Sequence, residues 1–302
     1  MPRQLLRILT IATLLLLQSA GTGVFHEGCL MAGAIEGQID SSKNLSATPA
    51  ESSQKMATGH DGRVKPMDGL SIMTRVSERD RGNDYSLSTS WTFVVKGSEK
   101  YNAQYTEQRK HYRGKDGFNY KSLIRYSAPP NVYRTSMLTW NHTDGIRTNW
   151  YFLPRFLEAK KMIDLERIRS KAEVDFSLAE YIDINVDEER HQLVRSEMLK
   201  GKMCYVVESI PLKGEIKYGK RIRWIDPENW IPHKIEYMDK KGALWKVLDI
   251  SWQNVSGLWF WEKAVVENVQ SDSKTFITIE DVKVNIGLDD REFAKTALEK
   301  KM

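Results

Sequence analysis

The sequence predicts a mainly β domain in which an antiparallel meander curls towards a barrel. Three observations carry that expectation. Short runs that alternate apolar and polar residues recur about every ten positions between Trp91 and Ile286, the signature of half-buried strands. Turn-forming residues separate the runs, as at Lys96-Gly97-Ser98 and Asp226-Pro227-Glu228-Asn229. Helical periodicity is confined to a few short stretches. The chain has 302 residues, 41% of them hydrophobic and 10% aromatic, enough for a sizeable core and against wholesale disorder.

The first residues read as a leader. Met1 to Arg7 carries two arginines, Ile8 to Leu17 is apolar apart from Thr10 and Thr13, and Ser19, Ala20, Gly21 and Gly23 are small. That is the order of a secretory signal peptide, and the apolar run is about half the ~20 residues that span a bilayer. Residues 1–23 are therefore expected to be a signal peptide, with cleavage after Ala20, Gly21 or Gly23. Cys29 has two readings, a cysteine in a discarded leader or the lipidated residue of a lipoprotein signal; only Gly28 fits the latter's flanking pattern. Residues 24–69 are expected to be a flexible polar linker. The stretch from Ile35 to Gly69 has no aromatic residue and is crowded with Ser, Thr, Gly, Lys and Glu, so it buries too little apolar surface to offset its ordering entropy. The folded domain is then 70–302, and it holds all nine Trp, between Trp91 and Trp261.

Within that domain, Leu70 to Arg81 is expected to open with a helix that places Leu70, Met73 and Val76 on one side, with Asp68 near its cap. Strands follow from Trp91, Phe93 and Val95, from Tyr101, Ala103 and Tyr105, and from Phe118 to Ile124 until Pro129-Pro130 stops the run. Met203 to Ile210, Arg221 to Trp224, Ile231 to Met238, Leu244 to Trp252, Trp259 to Val269 and Thr275 to Ile286 supply the others. The turn Asp239-Lys240-Lys241-Gly242 is a hairpin signal. Eight to eleven strands of this kind suggest a curled meander. Ser177 to Glu180 has the pattern of a capping box, and Asp289-Asp290 is placed to cap a terminal helix through Leu298.

Chemistry is sparse. Lys and Arg total 45 against 40 Asp and Glu, too even a balance to imply nucleic acid. The six His are scattered without metal-binding spacing. Two Cys exclude a disulfide scaffold, and Cys204 sits inside a strand run as a buried structural thiol. No nucleophile elbow, P-loop or dinucleotide fingerprint occurs. Asp187-Glu188-Glu189 reads as solvated turn charge. No catalytic residue, metal or cofactor is expected. Two features stand out: the aromatic density, which is either ordinary core or the lining of an apolar ligand cavity, and the stretch Tyr151 to Ile182. The latter lacks strand alternation and carries Arg155, Lys160, Lys161, Arg167 and Arg169. It reads as a solvated crossover, or as a lid or membrane-facing basic patch.

From about Leu70 to Leu298 the sequence resembles the bacterial outer-membrane lipoprotein-sorting (LolA-like) family. The resemblance is carried by Pro130 to Trp140, Trp150 to Pro154 with Lys160-Lys161, Asp175 to Tyr181, Tyr218 to Asp226, Pro232 to Lys246 and Thr275 to Leu298. It implies an incomplete, strongly curved antiparallel barrel with a few short helices as lid. It further implies a non-catalytic periplasmic carrier that holds acyl chains of lipoproteins or other lipids in an apolar cavity on the way to the outer membrane. The expected partners are those acyl chains and an inner-membrane transporter, with no nucleic acid, and the protein is expected to be a monomer. A sensor or accessory module of an envelope export complex is the alternative on the same fold. Strand-face alternation, and not the resemblance, nominates Trp91, Phe93, Phe118, Tyr120, Trp140, Phe152 and Trp224 as cavity residues.

Overall fold

The computed structural model describes residues 67–154, 158–162, 186–212 and 218–299. Almost all of residues 1–69, the Ser177 capping box, Arg155, Arg167 and Arg169 lie outside the described residues.

The described residues open with helix α1 (Gly69–Glu78), capped by Asp68, whose carboxylate accepts from the Ser71 amide at 2.7 Å. Ile72, Met73 and Val76 are buried at helical spacing, whereas Leu70, expected on the packed side, is 53% exposed. The buried stripe is rotated by the docking partner. A Cβ on Gly69 would stand 2.5 Å from the Gln192 amide nitrogen, so the first turn rests directly on strand backbone and turns Leu70 outward.

Thirteen strands follow: β1 (Asp84–Val95), β2 (Ser98–His111), β3 (Phe118–Ala128), β4 (Ser136–His142), β5 (Arg147–Phe152) and β6 (Ala159–Met162), then β7 (Glu189–Leu199), β8 (Lys202–Pro211), β9 (Lys220–Ile225), β10 (Pro232–Met238), β11 (Leu244–Val255), β12 (Leu258–Asn268) and β13 (Ser273–Val284). They form one antiparallel sheet in the order β6-β5-β4-β3-β2-β1-β13-β12-β11-β10-β9-β8-β7. Two meanders are thus joined where β1 pairs β13, and β6 and β7 remain as edges, so the sheet does not close into a barrel. This exceeds the eight to eleven strands expected. The residue pair Lys96-Gly97 between β1 and β2 has both φ positive (49° and 72°), as does Lys200-Gly201 between β7 and β8 (51° and 84°). Such two-residue turns match the right-handed twist of the strands they join.

Position-by-position pairing gives the sheet two faces. On one of them Val207, Arg223, Ile235, Leu248, Val266, Thr275 and Phe93 stand directly opposite one another across seven strands. Helix α1 packs on this face, its Ile72, Met73 and Val76 against Val207 and Ile225; it is called the helix face below. The other face is covered at β3–β6 by the C-terminal segment, where Phe293, Ala297 and Leu298 pack on Leu123, Leu138, Phe152 and Ala159. That segment is a pair of 3-10 turns, Asp290–Phe293 and Lys295–Glu299, in place of the expected helix; Asp289 does cap the first by accepting from the Arg291 amide at 2.8 Å.

The stretch from Tyr151 also differs from expectation. Its first residues belong to β5, and Lys160 and Lys161 are exposed on the edge strand β6, paired with Tyr151 and Trp150. Lysines on an edge discourage pairing with another sheet, which supplies a structural reason for both.

Candidate functional site

Of the nominated aromatic residues, Trp91, Phe93 and Tyr120 stand on the helix face. Phe93 stacks on Tyr101 with centroids 6.0 Å apart. Phe118, Trp140, Phe152 and Trp224 stand on the opposite face. Phe118 meets Trp140 edge-on at 5.6 Å. Trp140 donates its indole N–H to the Phe293 carbonyl at 2.9 Å, and Phe152 lies beneath the C-terminal segment. Trp224 packs with Cys204 and Val206 and donates to Glu197; Cys204 is a free, buried thiol. The seven therefore do not converge on one cavity.

A cleft lies on the helix face between the end of α1 and strands β1, β2 and β9–β12. Its lining includes the aromatic residues Tyr85, Trp252, Trp259, Phe260 and Trp261. The same lining includes five basic residues, Arg79, Arg81, Arg109, Arg221 and Arg223. Its volume is about 90 Å³, below the ~150 Å³ that holds one benzene.

Each basic residue is placed by local structure. Arg79 is the C-cap of α1 and stacks over Trp252 at 4.8 Å, as Arg75 one turn earlier stacks over Trp230 at 4.8 Å. These cation–π contacts press the helix onto the sheet. On β2, Glu107 and Arg109 are two apart and so share a face. The Arg109 guanidinium is 2.9 Å from Glu107 Oε1, which also accepts from the Tyr85 hydroxyl at 3.2 Å. Glu107 is fully buried, and its Oε2 has no hydrogen-bond partner among the described residues. Burial and Arg109 push the neighbouring His111 down to about 4, so this imidazole is neutral at pH 7.

On β9, Arg221 and Arg223 alternate with Ile222 and Trp224, so the arginines point to the helix face. Arg223 is 0% exposed and sits between Val207 and Ile235 in the paired row. A guanidinium in that setting costs several kcal/mol unless it is paired. Glu189, the first residue of β7, reaches across. It accepts from Arg221 Nε at 2.9 Å and Arg223 Nη2 at 2.9 Å, and from the Tyr218 hydroxyl at 3.0 Å. Burial opposes ionisation of Glu189, but Arg223 and Arg221 outweigh it and hold the carboxyl down at about 2. The reading of Glu189 as solvated turn charge is thus corrected: it is 4% exposed, because the two arginines need a buried counter-charge. Two cations share this one carboxylate, and Arg223 Nε has no hydrogen-bond partner among the described residues. Burial, and then Arg221, lowers the pKa of Arg223.

Arg223 Nη1 also donates to Ser209 Oγ at 2.5 Å, and His191 Nδ1 lies 2.7 Å from the same oxygen while its Nε2 meets the Val186 carbonyl at 3.0 Å. With Nε2 donating, Nδ1 accepts the Ser209 hydroxyl proton. Ser209 is 0% exposed and does not line the cleft, so this contact orders the strands and presents no accessible nucleophile. Among the described residues no three His, Cys, Asp or Glu side chains are grouped to hold a metal ion, and no helix is long and apolar enough to cross a membrane.

Sequence reasoning missed this site. The signal was present in Arg221-Ile-Arg-Trp-Ile225, whose charged residues alternate with Ile222 and Trp224, and in Glu107-Gln-Arg109, which continues the side of the strand that carries Tyr101, Ala103 and Tyr105.

A family model described as an uncharacterized protein matches residues 119–300, more than half of the chain. No curated protein matches. The structure is similar to that of a DUF1329 family protein from Desulfovibrio piger, at 26% identity and a TM-score of 0.68, over 76% of this chain and 97% of that one. It is similar to a domain described as an outer membrane lipoprotein-sorting protein from Vibrio parahaemolyticus, at 23% identity and a TM-score of 0.66, over 77% and 98%. A LolA superfamily protein from Nitrosomonas europaea matches at 18% identity and a TM-score of 0.51, over 76% and 99%.

Proposed function

The chain belongs to the family whose model matches residues 119–300 and has a LolA-like fold, and from that premise we propose that it is a non-catalytic periplasmic carrier of lipoproteins or other lipids towards the outer membrane. The observation that supports this most is the likeness to the lipoprotein-sorting domain, whose whole length is matched almost end to end. A carrier of this kind needs no nucleophile or metal. Moving acyl chains through water costs about 0.8 kcal/mol per CH₂, so a soluble route requires a protein surface that substitutes for the bilayer and then releases its cargo. The cleft at about 90 Å³ is too small for an acyl chain, so loading requires the cover to shift. The element placed to do this is α1, which contributes Val76 and Arg79 to the cleft wall and is held by a short buried stripe and two cation–π contacts.

The test is native mass spectrometry of the protein purified from the periplasm, with lipid extraction and a fluorescent fatty-acid titration. Co-purified lipid and saturable uptake are expected. Absence of both overturns the carrier reading.

A further inference from the structure

Every side chain in the paired row that crosses the helix face from Val207 to Phe93 is apolar except Arg223 and Thr275. Apolar residues of similar size usually stabilise such a row as well as a buried ion cluster does, or better. Stability therefore does not account for Arg223. Its hydrogen bonding does not close either. Two guanidiniums meet the single carboxylate of Glu189, and Arg223, fully buried and lining the cleft, keeps its Nε donor unused among the described residues. An unsatisfied buried donor is rare and calls for a partner. A guanidinium presents its donors in a planar fork that fits the oxygens of phosphate and carboxylate. The cleft that Arg223 lines is lined as well by Trp252, Trp259 and Trp261, surface suited to an apolar body.

We infer that the cleft binds an amphipathic anion: a phosphate or carboxylate group received by Arg223 and Arg221, with its apolar portion on the tryptophans of the same lining. The inference rests on the carrier reading and narrows the cargo to anionic lipid. Arg79 and Arg81 add positive potential around the same opening, which draws anions towards it and weakens with salt.

Intrinsic tryptophan fluorescence of the mature protein tests this with four probes: a lysophosphatidic acid, the fatty acid of the same chain length, the uncharged monoacylglycerol of that length, and inorganic phosphate. The expected result is that one or both of the charged amphiphiles bind at least about tenfold tighter than the monoacylglycerol, the equivalent of one charge-assisted contact, and that the advantage shrinks in high salt. Arg223→Lys, which keeps the charge and removes the fork, is expected to abolish the tenfold preference. The preference itself is read on the unaltered protein, so the test stands if the variant fails to fold. Equal affinity for charged and uncharged amphiphiles overturns the anion site and leaves the carrier reading intact. Phosphate binding without any amphiphile binding supports the anion site with a free-phosphate source and overturns the carrier reading. No binding by any probe overturns both.

Discussion

Strands β1–β6 and β7–β13 are both antiparallel meanders, but they are covered on different faces and by different chemistry. At β3–β6 the C-terminal segment seals the face opposite α1 with Phe293, Ala297 and Leu298, helped by the Trp140 and Arg125 donors to backbone carbonyls at 2.9 and 3.1 Å. Among the described residues of β3–β6, no charged side chain is fully buried. At β7–β9 the helix covers a sheet face that includes two arginines and a glutamate. The first closure has the composition of a core. The second keeps groups that a core does not require, and that difference locates the candidate site at the second.

The comparison breaks most sharply at Glu189. Replacing it, as Glu189→Ala, leaves Arg221 and Arg223 buried without their carboxylate and is expected to cost about 3–5 kcal/mol in urea denaturation at pH 7. A loss below about 1 kcal/mol would show that the cluster is not buried charge of the kind described. The pH dependence has a definite sign. The folded carboxyl is held at about 2 against an ordinary value of 4.5, so its contribution is complete above pH 4.5 and disappears as pH falls towards 2. The difference between the two proteins is therefore expected to shrink across that window.

A smaller effect is expected at the apolar closure. Leu298→Ala removes a side chain that is 1% exposed and is expected to cost about 2–3 kcal/mol, with no change in the preference for charged amphiphiles. Loss of that preference would mean that the two closures are coupled and not separable. Least costly is Asp68→Ala, which removes the N-cap of α1 for about 1 kcal/mol. It is expected to speed ligand association measured by stopped-flow fluorescence, since it loosens the cover of the cleft; unchanged rates argue that α1 does not move.

How far the sequence could be read differs between the same two regions. The runs around Trp91, Tyr101 and Tyr120 and those of the last five strands were legible because one side of each is apolar and turns such as Asp239 to Gly242 bound them. There the Asp239 carboxylate accepts from the Lys241 and Ala243 amides at 2.9 Å each, and Gly242 has φ of 85°. Strand β7 was illegible because Glu-Arg-His-Gln-Leu-Val-Arg at an edge is mostly exposed and shows no apolar alternation; Lys200-Gly201 was the one local mark of its hairpin. The aromatic nominees scattered over two faces because alternation says that neighbours diverge, not which side will be covered.

By itself, then, the amino-acid order determined that this is an antiparallel β protein with a short capped helix ahead of its first strand, because pleat, turn and capping are interactions among residues close in the chain. Only the tertiary structure decided that β1 pairs β13, that Glu189 lies beside Arg221 and Arg223, and that a basic cleft opens beneath α1. Those contacts join residues 32 to 199 positions apart, from Glu189 and Arg221 to Tyr85 and Val284. They depend on which of two faces a helix or terminal segment covers, and strand alternation alone leaves that choice open.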